Sequence, residues 1–225
     1  MNNSGNNQHN SGGENGDKKL KGAIFDLDGT LLDSMFIWDT MGEDYLISLG
    51  IVPENGLNEK FKTMSVAAAV AYYQTQYGML GTAQEIMADV NRQVNKRYLE
   101  QVHLKPGVRQ LLQRFKSEGV RMCVATATDT QVAQDTLAHN GILDYFCTVL
   151  SCTQVGFGKD SPEIFERALE TLGTDKSNTL VFEDALHAVT TAKAAGFKVV
   201  GVFDASSQSD WEKIKALADY CVIDL

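Results

Sequence analysis

Two aspartates, Asp26 and Asp28, close an apolar run in KGAIFDLDGTLLDS (21–34), and Gly29-Thr30 follow at once. Like charges this close disfavour ionisation of both, so such a pair at a strand end calls for a chemical reason. Other polar side chains stand at the ends of later apolar runs. Thr126 closes RMCVAT with Thr128 just beyond it, Lys159 follows CTVLS, and Glu183-Asp184 end TLVFED. A carboxylate set without Cys or His suits a hard cation such as Mg²⁺, which takes oxygen ligands together with substrate phosphate. A carboxylate can attack phosphorus to form an aspartyl-phosphate. A neighbouring acid can protonate the leaving oxygen, then deprotonate the water that breaks the intermediate. Lys159 and Thr126 would hold the transferring oxygens. The set reads as phosphoryl transfer, in which one aspartate attacks and the other moves protons.

These residues must be brought together by the elements that carry them. The runs GAIFD (22–26), RMCVAT (121–126), CTVLS (147–151), TLVFED (179–184), KVVGVF (198–203) and YCVID (220–224) are almost continuously apolar, as expected of strands covered on both faces. Helical patterns lie between most of them, at 107–118, 130–140, 161–172, 185–195 and 210–218. In the third of these, Ser161 is expected as N-cap, Pro162 in the first turn and Gly173 past the end. Alternating strands and helices imply a doubly wound α/β fold with a parallel sheet, and ligands of such sheets bind outside the carboxyl ends of the strands. Residues 37–103 break the rhythm. WDTMGEDYLISLG, SVAAAVAYYQTQYG and AQEIMADVNRQVNKRYLEQV carry apolar residues at helical spacing. They predict a small inserted helical domain at 37–103, hinged near Met35–Ile37 and His103–Pro106, within a core formed by 20–36 and 104–225. Tyr45, Tyr72, Tyr73 and Tyr77 are expected to form the insertion's own core.

Composition narrows the classes. The chain has 225 residues, a hydrophobic fraction of 44% and a formal net charge of −9, values of a globular acidic protein without a basic face for nucleic acid. No apolar stretch approaches the ~20 residues that span a bilayer, and no signal-peptide pattern opens the chain. A cytoplasmic monomer without membrane or nucleic-acid partners is expected. Residues 1–19 are read as a disordered polar tail, since Asn, Gly and Ser cannot bury enough apolar surface to offset ordering entropy. The four cysteines, Cys123, Cys147, Cys152 and Cys221, lack CxxC spacing and are expected as reduced, buried thiols. His9, His103, His139 and His187 stand singly, without a zinc pattern.

FDLDGT, VATAT, GKDSPEIF and VFEDA, in that order, resemble the motifs of the haloacid dehalogenase superfamily of phosphatases and phosphomutases. The resemblance runs from Lys21 to the end of the chain. It implies Asp26 as nucleophile and Asp28 as general acid/base, with Asp26, the Asp28 backbone carbonyl and Asp184 as Mg²⁺ ligands. Thr126 and Lys159 would bind the phosphate, and Glu183 would act behind the metal or through water. The helical insertion would be the cap that closes over the site in such enzymes. The family's proline after the motif lysine is Asp160 here, and its serine and glycine after the acidic pair are Ala185 and Ala188.

The implied function is a Mg²⁺-dependent phosphatase of a small phosphorylated, sugar phosphate-like metabolite. The competing reading is a β-phosphoglucomutase-like mutase. Such mutases typically carry a histidine about ten residues after the second aspartate, where this chain has Trp38. They also carry a cap arginine in the stretch that is KFKTMSVAAAV (60–70) here, which has Lys60 and Lys62 but no arginine. Trp38 is expected to wall the substrate pocket instead. Retention of Asp28 argues against a dehalogenase or phosphonate hydrolase, and the D-x-D pair with an insertion argues against a receiver-like phosphoacceptor module. DLDG lacks the spacing of an EF-hand, and TQVGFGKD lacks the first glycine and the hydroxyl residue of a P-loop.

Overall fold

The computed structural model describes residues 19–225 except 62, 63 and 65. The polar stretch 1–18 and Lys62 lie outside the described residues. In chain order the elements are β1 (Gly22–Phe25), β2 (Leu32–Asp33), α1 (Met35–Ser48), α2 (Leu57–Phe61), α3 (Val66–Tyr77), α4 (Ala83–Gln101) and β3 (His103–Leu104). They continue with α5 (Val108–Ser117), β4 (Arg121–Thr126), α6 (Thr130–His139), β5 (Val149–Ser151), α7 (Cys152–Val155) and α8 (Glu163–Leu172). β6 (Thr179–Glu183), α9 (Leu186–Ala194), β7 (Lys198–Val202), α10 (Trp211–Leu217) and β8 (Tyr220–Val222) complete the chain.

Six strands form one parallel sheet in the order β5-β4-β1-β6-β7-β8. The chain winds outward from β1 in both directions, so β1, β4 and β6 are neighbours and their carboxyl ends share one edge. Successive side chains of a strand point to opposite faces. Ala23 and Phe25 of β1 join Val124, Phe182 and the buried faces of α5 and α6. Ile24 joins Cys123, Val181, Val199 and the buried faces of α8 and α9. Helices on both faces explain why the strands lack a polar alternation.

Local sequence starts and stops these elements. Thr82 and Glu85 close a reciprocal capping box at the start of α4. α8 ends at Gly173 with φ 58°, a left-handed conformation that only glycine adopts without strain. Its start differs from expectation. Pro162 is the N-cap and no side chain caps the helix, because the Ser161 hydroxyl donates to the Glu163 carboxylate instead. The strand expected at 147–151 is regular only from Val149, although Cys147 N and Val124 N still form bonds between the two strands. Cys123 is buried, but Cys147 and Cys221 are exposed. They lie on edge strands or just before one, where an apolar neighbourhood does not guarantee cover.

The stretch between β2 and β3 holds α1 to α4. The short α2 was not visible as a periodic pattern, being only 5 residues long. Tyr45 and Tyr73 are buried with ring centroids 5.3 Å apart, and Phe61 packs edge-on against Tyr73. Tyr45 and Tyr73 are therefore packing residues, with Tyr72 and Tyr77 half-buried against the same cluster. Where the chain leaves and re-enters the sheet, β2 pairs antiparallel with β3, Leu32 opposite Leu104. No helix among the described residues is long and apolar enough to cross a membrane.

Candidate active site

Phe25 and Phe182 sit in register on adjacent strands and stack at 4.5 Å, so the next residue of each strand, Asp26 and Glu183, emerges at the same level. Asp26 N donates to Phe182 O at 2.9 Å, which extends the pairing to the edge. Asp26, Glu183 and Asp184 are all buried, and each offers a carboxylate oxygen within 4.8 Å of the others'. Lys159 enters this cluster from the connection after α7. Its ammonium donates to Asp26 and, at 2.8 Å, to Glu183 Oε2.

Three buried carboxylates facing one ammonium leave an excess of negative charge, which favours protonation of the carboxylates. Burial, reinforced by Glu183, pushes the Asp26 carboxyl up to about 7 against the opposing pull of Lys159. Burial and the charges of Asp26 and Glu183 raise Asp184 well above the usual carboxylate range. For Lys159, burial disfavours the ammonium, but the two carboxylates outweigh burial and hold the side chain charged. A hard divalent cation answers both the all-oxygen donor set and its surplus charge, so the residues fit Mg²⁺. Glu183 stands in this cluster itself, beside Asp26 and Asp184.

Gly29 makes the cluster possible. Its φ is +82°, and a Cβ there would lie 2.4 Å from Asp184 Oδ2. The glycine thus provides both the turn after the D-x-D pair and the space that Asp184 occupies. On β6's far side, Ala185 begins α9 without a side-chain cap, and its N–H points to Glu183 Oε1 at 3.4 Å.

Asp28 turns the other way. Its side chain is absent from the carboxylate cluster. Oδ2 accepts from Thr128 Oγ1 at 2.6 Å, while Oδ1 accepts from Ser34 Oγ at 2.7 Å and Tyr98 OH at 2.6 Å. Ser34 occupies the N-cap of α1 yet makes no capping bond, its hydroxyl being engaged by Asp28. Thr126 is buried at the end of β4 and accepts from Thr128 N at 3.0 Å, so its hydroxyl can still donate. Trp38 packs edge-on against Tyr98 and donates to its hydroxyl at 2.8 Å. Burial, then the Asp28 charge, holds the Tyr98 phenol well above its ordinary value and keeps it a donor.

All seven residues named from sequence thus lie at or beside one edge of the sheet. Sequence reasoning missed Ser34, Tyr98 and Lys105. Lys105 Nζ donates to Gly29 O and Phe203 O at 2.6 Å each and to Asp204 Oδ2 at 2.9 Å, tying β3 to the D-x-D-G loop. Ser34, six residues after Asp28, was the most findable of these, as a capping serine close to the motif.

The sequence profile of the haloacid dehalogenase-like hydrolases matches residues 23–202, and the chain belongs to that family. It is an enzyme of the phosphoric monoester hydrolase class. It is 29% identical over 195 residues to protein CbbY of Rhodobacter capsulatus, covering 81% of this chain and 85% of that one. It is 26% identical over 196 residues to hexitol phosphatase B of Escherichia coli K12, covering 86% and 88%. Among solved structures, a putative β-phosphoglucomutase from Thermotoga maritima shares the fold with a TM-score of 0.72 at 24% identity, over 90% of this chain and 94% of that one.

Proposed function

We propose that this chain is a Mg²⁺-dependent phosphatase that hydrolyses a small, sugar phosphate-like monoester through an aspartyl-phosphate on Asp26. The observation that carries the reading is the buried Lys159 bridging Asp26 and Glu183 beside Asp184. Asp26, Asp184 and Glu183, with the Asp28 carbonyl, would hold the metal. When bound, Mg²⁺ supplies the positive charge that lets Asp26 ionise near substrate phosphate and that offsets the transferring oxygens. Asp26 then attacks phosphorus while the ester oxygen departs with a proton from Asp28. In the second half, Asp28 takes a proton from water as that water attacks the phosphoryl group and frees Asp26. Lys159 and the Thr126 hydroxyl orient the phosphoryl oxygens.

The helices at 37–103 act in this reading as a cap that limits substrate size and excludes water. Hexitol phosphatase B, by its name a hexitol phosphatase, supports a polyol or sugar phosphate as substrate. A cytoplasmic monomer goes with this reading, and the cysteines are all free thiols as such a compartment keeps them.

The test is release of inorganic phosphate from a panel of sugar and polyol phosphates with Mg²⁺, ranked by kcat/KM. Multiple turnover on at least one member is expected. β-Glucose 1-phosphate with catalytic glucose 1,6-bisphosphate belongs in the panel. Glucose 6-phosphate forming much faster than free phosphate would overturn the phosphatase reading in favour of a mutase.

A further inference from the structure

We propose that Tyr98 is a positioning residue for proton transfer: carried on the last turn of α4, it decides which oxygen of Asp28 bears the moving proton and ties that choice to the placement of the helical insertion. The inference rests on the reading of Asp28 as general acid/base.

The direction of the hydrogen-bond chain follows from the groups. An indole N–H only donates, so the Tyr98 oxygen accepts from Trp38 Nε1 at 2.8 Å. The single phenolic proton is then committed to Asp28 Oδ1 at 2.6 Å. A carboxylate oxygen has two lone-pair positions, and on Oδ1 Ser34 and Tyr98 fill both. Oδ2 accepts only from Thr128 among the described residues and keeps one position open. The proton that passes to the leaving oxygen therefore resides on Oδ2. The step balances: the Oδ2–H bond breaks as the proton joins the departing ester oxygen, and the phosphorus–oxygen electron pair stays with that oxygen.

Trp38 and Tyr98 both belong to the insertion, on α1 and α4, whereas Thr128 belongs to the sheet's β4–α6 connection. The same face of α4 touches the core a second time, one turn earlier, where Asn95 Nδ2 donates to Asp135 Oδ2 of α6 at 2.9 Å. The Tyr98–Asp28 bond therefore exists only while α4 lies on the core. With α4 lifted, Oδ1 loses its second donor and the carboxyl is free to turn. Trp38 has no basic nitrogen with which to link the insertion to proton transfer, and its N–H does so by orienting the tyrosine that reaches the acid.

The experiment compares kcat/KM, which reports steps through phosphoryl transfer to Asp26, on two esters. p-Nitrophenyl phosphate has a leaving group that needs little protonation, and glucose 6-phosphate or the best alkyl phosphate of the panel needs it fully. Tyr98→Phe keeps the ring and removes the hydroxyl. It is expected to lose about 10-fold or more on the alkyl ester and under about threefold on the aryl ester, a fraction of the ~10²–10⁴-fold a positioned acid supplies. Trp38→Phe, which removes only the N–H donor, is expected to show the same asymmetry at smaller size and covers the case in which Tyr98→Phe folds poorly. Equal losses on both esters, or none on either, would overturn the proposal. Asp28→Asn run alongside separates the two readings. If it shows no leaving-group dependence, the acid/base assignment itself fails; if it does and the Tyr98 and Trp38 variants do not, only the positioning role falls.

Discussion

Lys159 and Asp26 are 133 residues apart in sequence and form a buried salt bridge at the sheet edge. The bridge holds the proposed nucleophile beside the ammonium proposed to receive phosphate oxygens. Asp26→Asn keeps the shape but removes the proposed nucleophile, so kcat is expected to fall by at least ~10³-fold with far-UV circular dichroism unchanged. Near wild-type kcat in that variant would show that phosphoryl transfer does not pass through Asp26.

The same carboxylate makes metal-free stability depend on pH. The folded Asp26 pKa is raised from 3.8 to about 7. The folded state therefore holds its proton more tightly, and the associated stability is complete below pH ~4 and lost as pH rises through ~7. Lys159 is charged throughout that window and adds no slope there. Without Mg²⁺, Asp26→Asn is expected to raise Tm by roughly 5–10 °C at pH 7.5, with the gain shrinking as pH falls and vanishing only below pH ~4. A Tm gain independent of pH, or a loss at pH 7.5, would contradict this.

Chelation is expected to abolish turnover, and Mg²⁺ to restore it and raise Tm more at pH 7.5 than at pH 5. Ca²⁺ takes more ligands at longer distance and should inhibit. Full activity in excess chelator would remove the metal from the mechanism.

Gly29→Ala tests the close approach at the loop. An alanine at φ +82° is strained by ~1–2 kcal/mol, and its Cβ would meet Asp184 Oδ2 at 2.4 Å. Displacing Asp184 should raise the Mg²⁺ concentration needed for half-maximal activity by about tenfold or more. Unchanged metal dependence by titration would show that Asp184 lies outside the metal site.

Lys105 binds the D-x-D-G loop to the end of β7. Its side chain and that of Asp204 are only 12% and 8% exposed. Lys105→Met leaves Asp204 buried without its cation and is expected to lower unfolding free energy by ~3–5 kcal/mol in urea. Lys105→Met/Asp204→Leu should recover much of that loss. A single variant as stable as wild type would mean that water replaces the lysine.

Much of this molecule is legible along the chain because strand ends and helical periods are local properties. GAIF, RMCVAT and TLVFE are recognisable as buried strands, and a parallel sheet places their carboxyl ends at one edge. Asp26, Thr126, Lys159, Glu183 and Asp184 are therefore legible as one group from the chain alone. The helical character of 37–103 followed from spacing in the same way, since a helix shows its apolar stripe whatever it packs against. What periodicity cannot carry is the direction in which a side chain meets a distant partner. Tyr98 reads along α4 as one more buried aromatic, and only the seating of α4 on α6 turns its hydroxyl onto Asp28, 70 residues away. Ser34 reads as a helix cap until the fold brings Asp28 within reach of its hydroxyl. Lys105 reads as a surface lysine until β7 ends beside it. The sequence determined which groups exist and at which strand ends they stand; the tertiary structure alone decided which oxygen of Asp28 each donor occupies, because such pairings depend on distances between elements that no local spacing encodes.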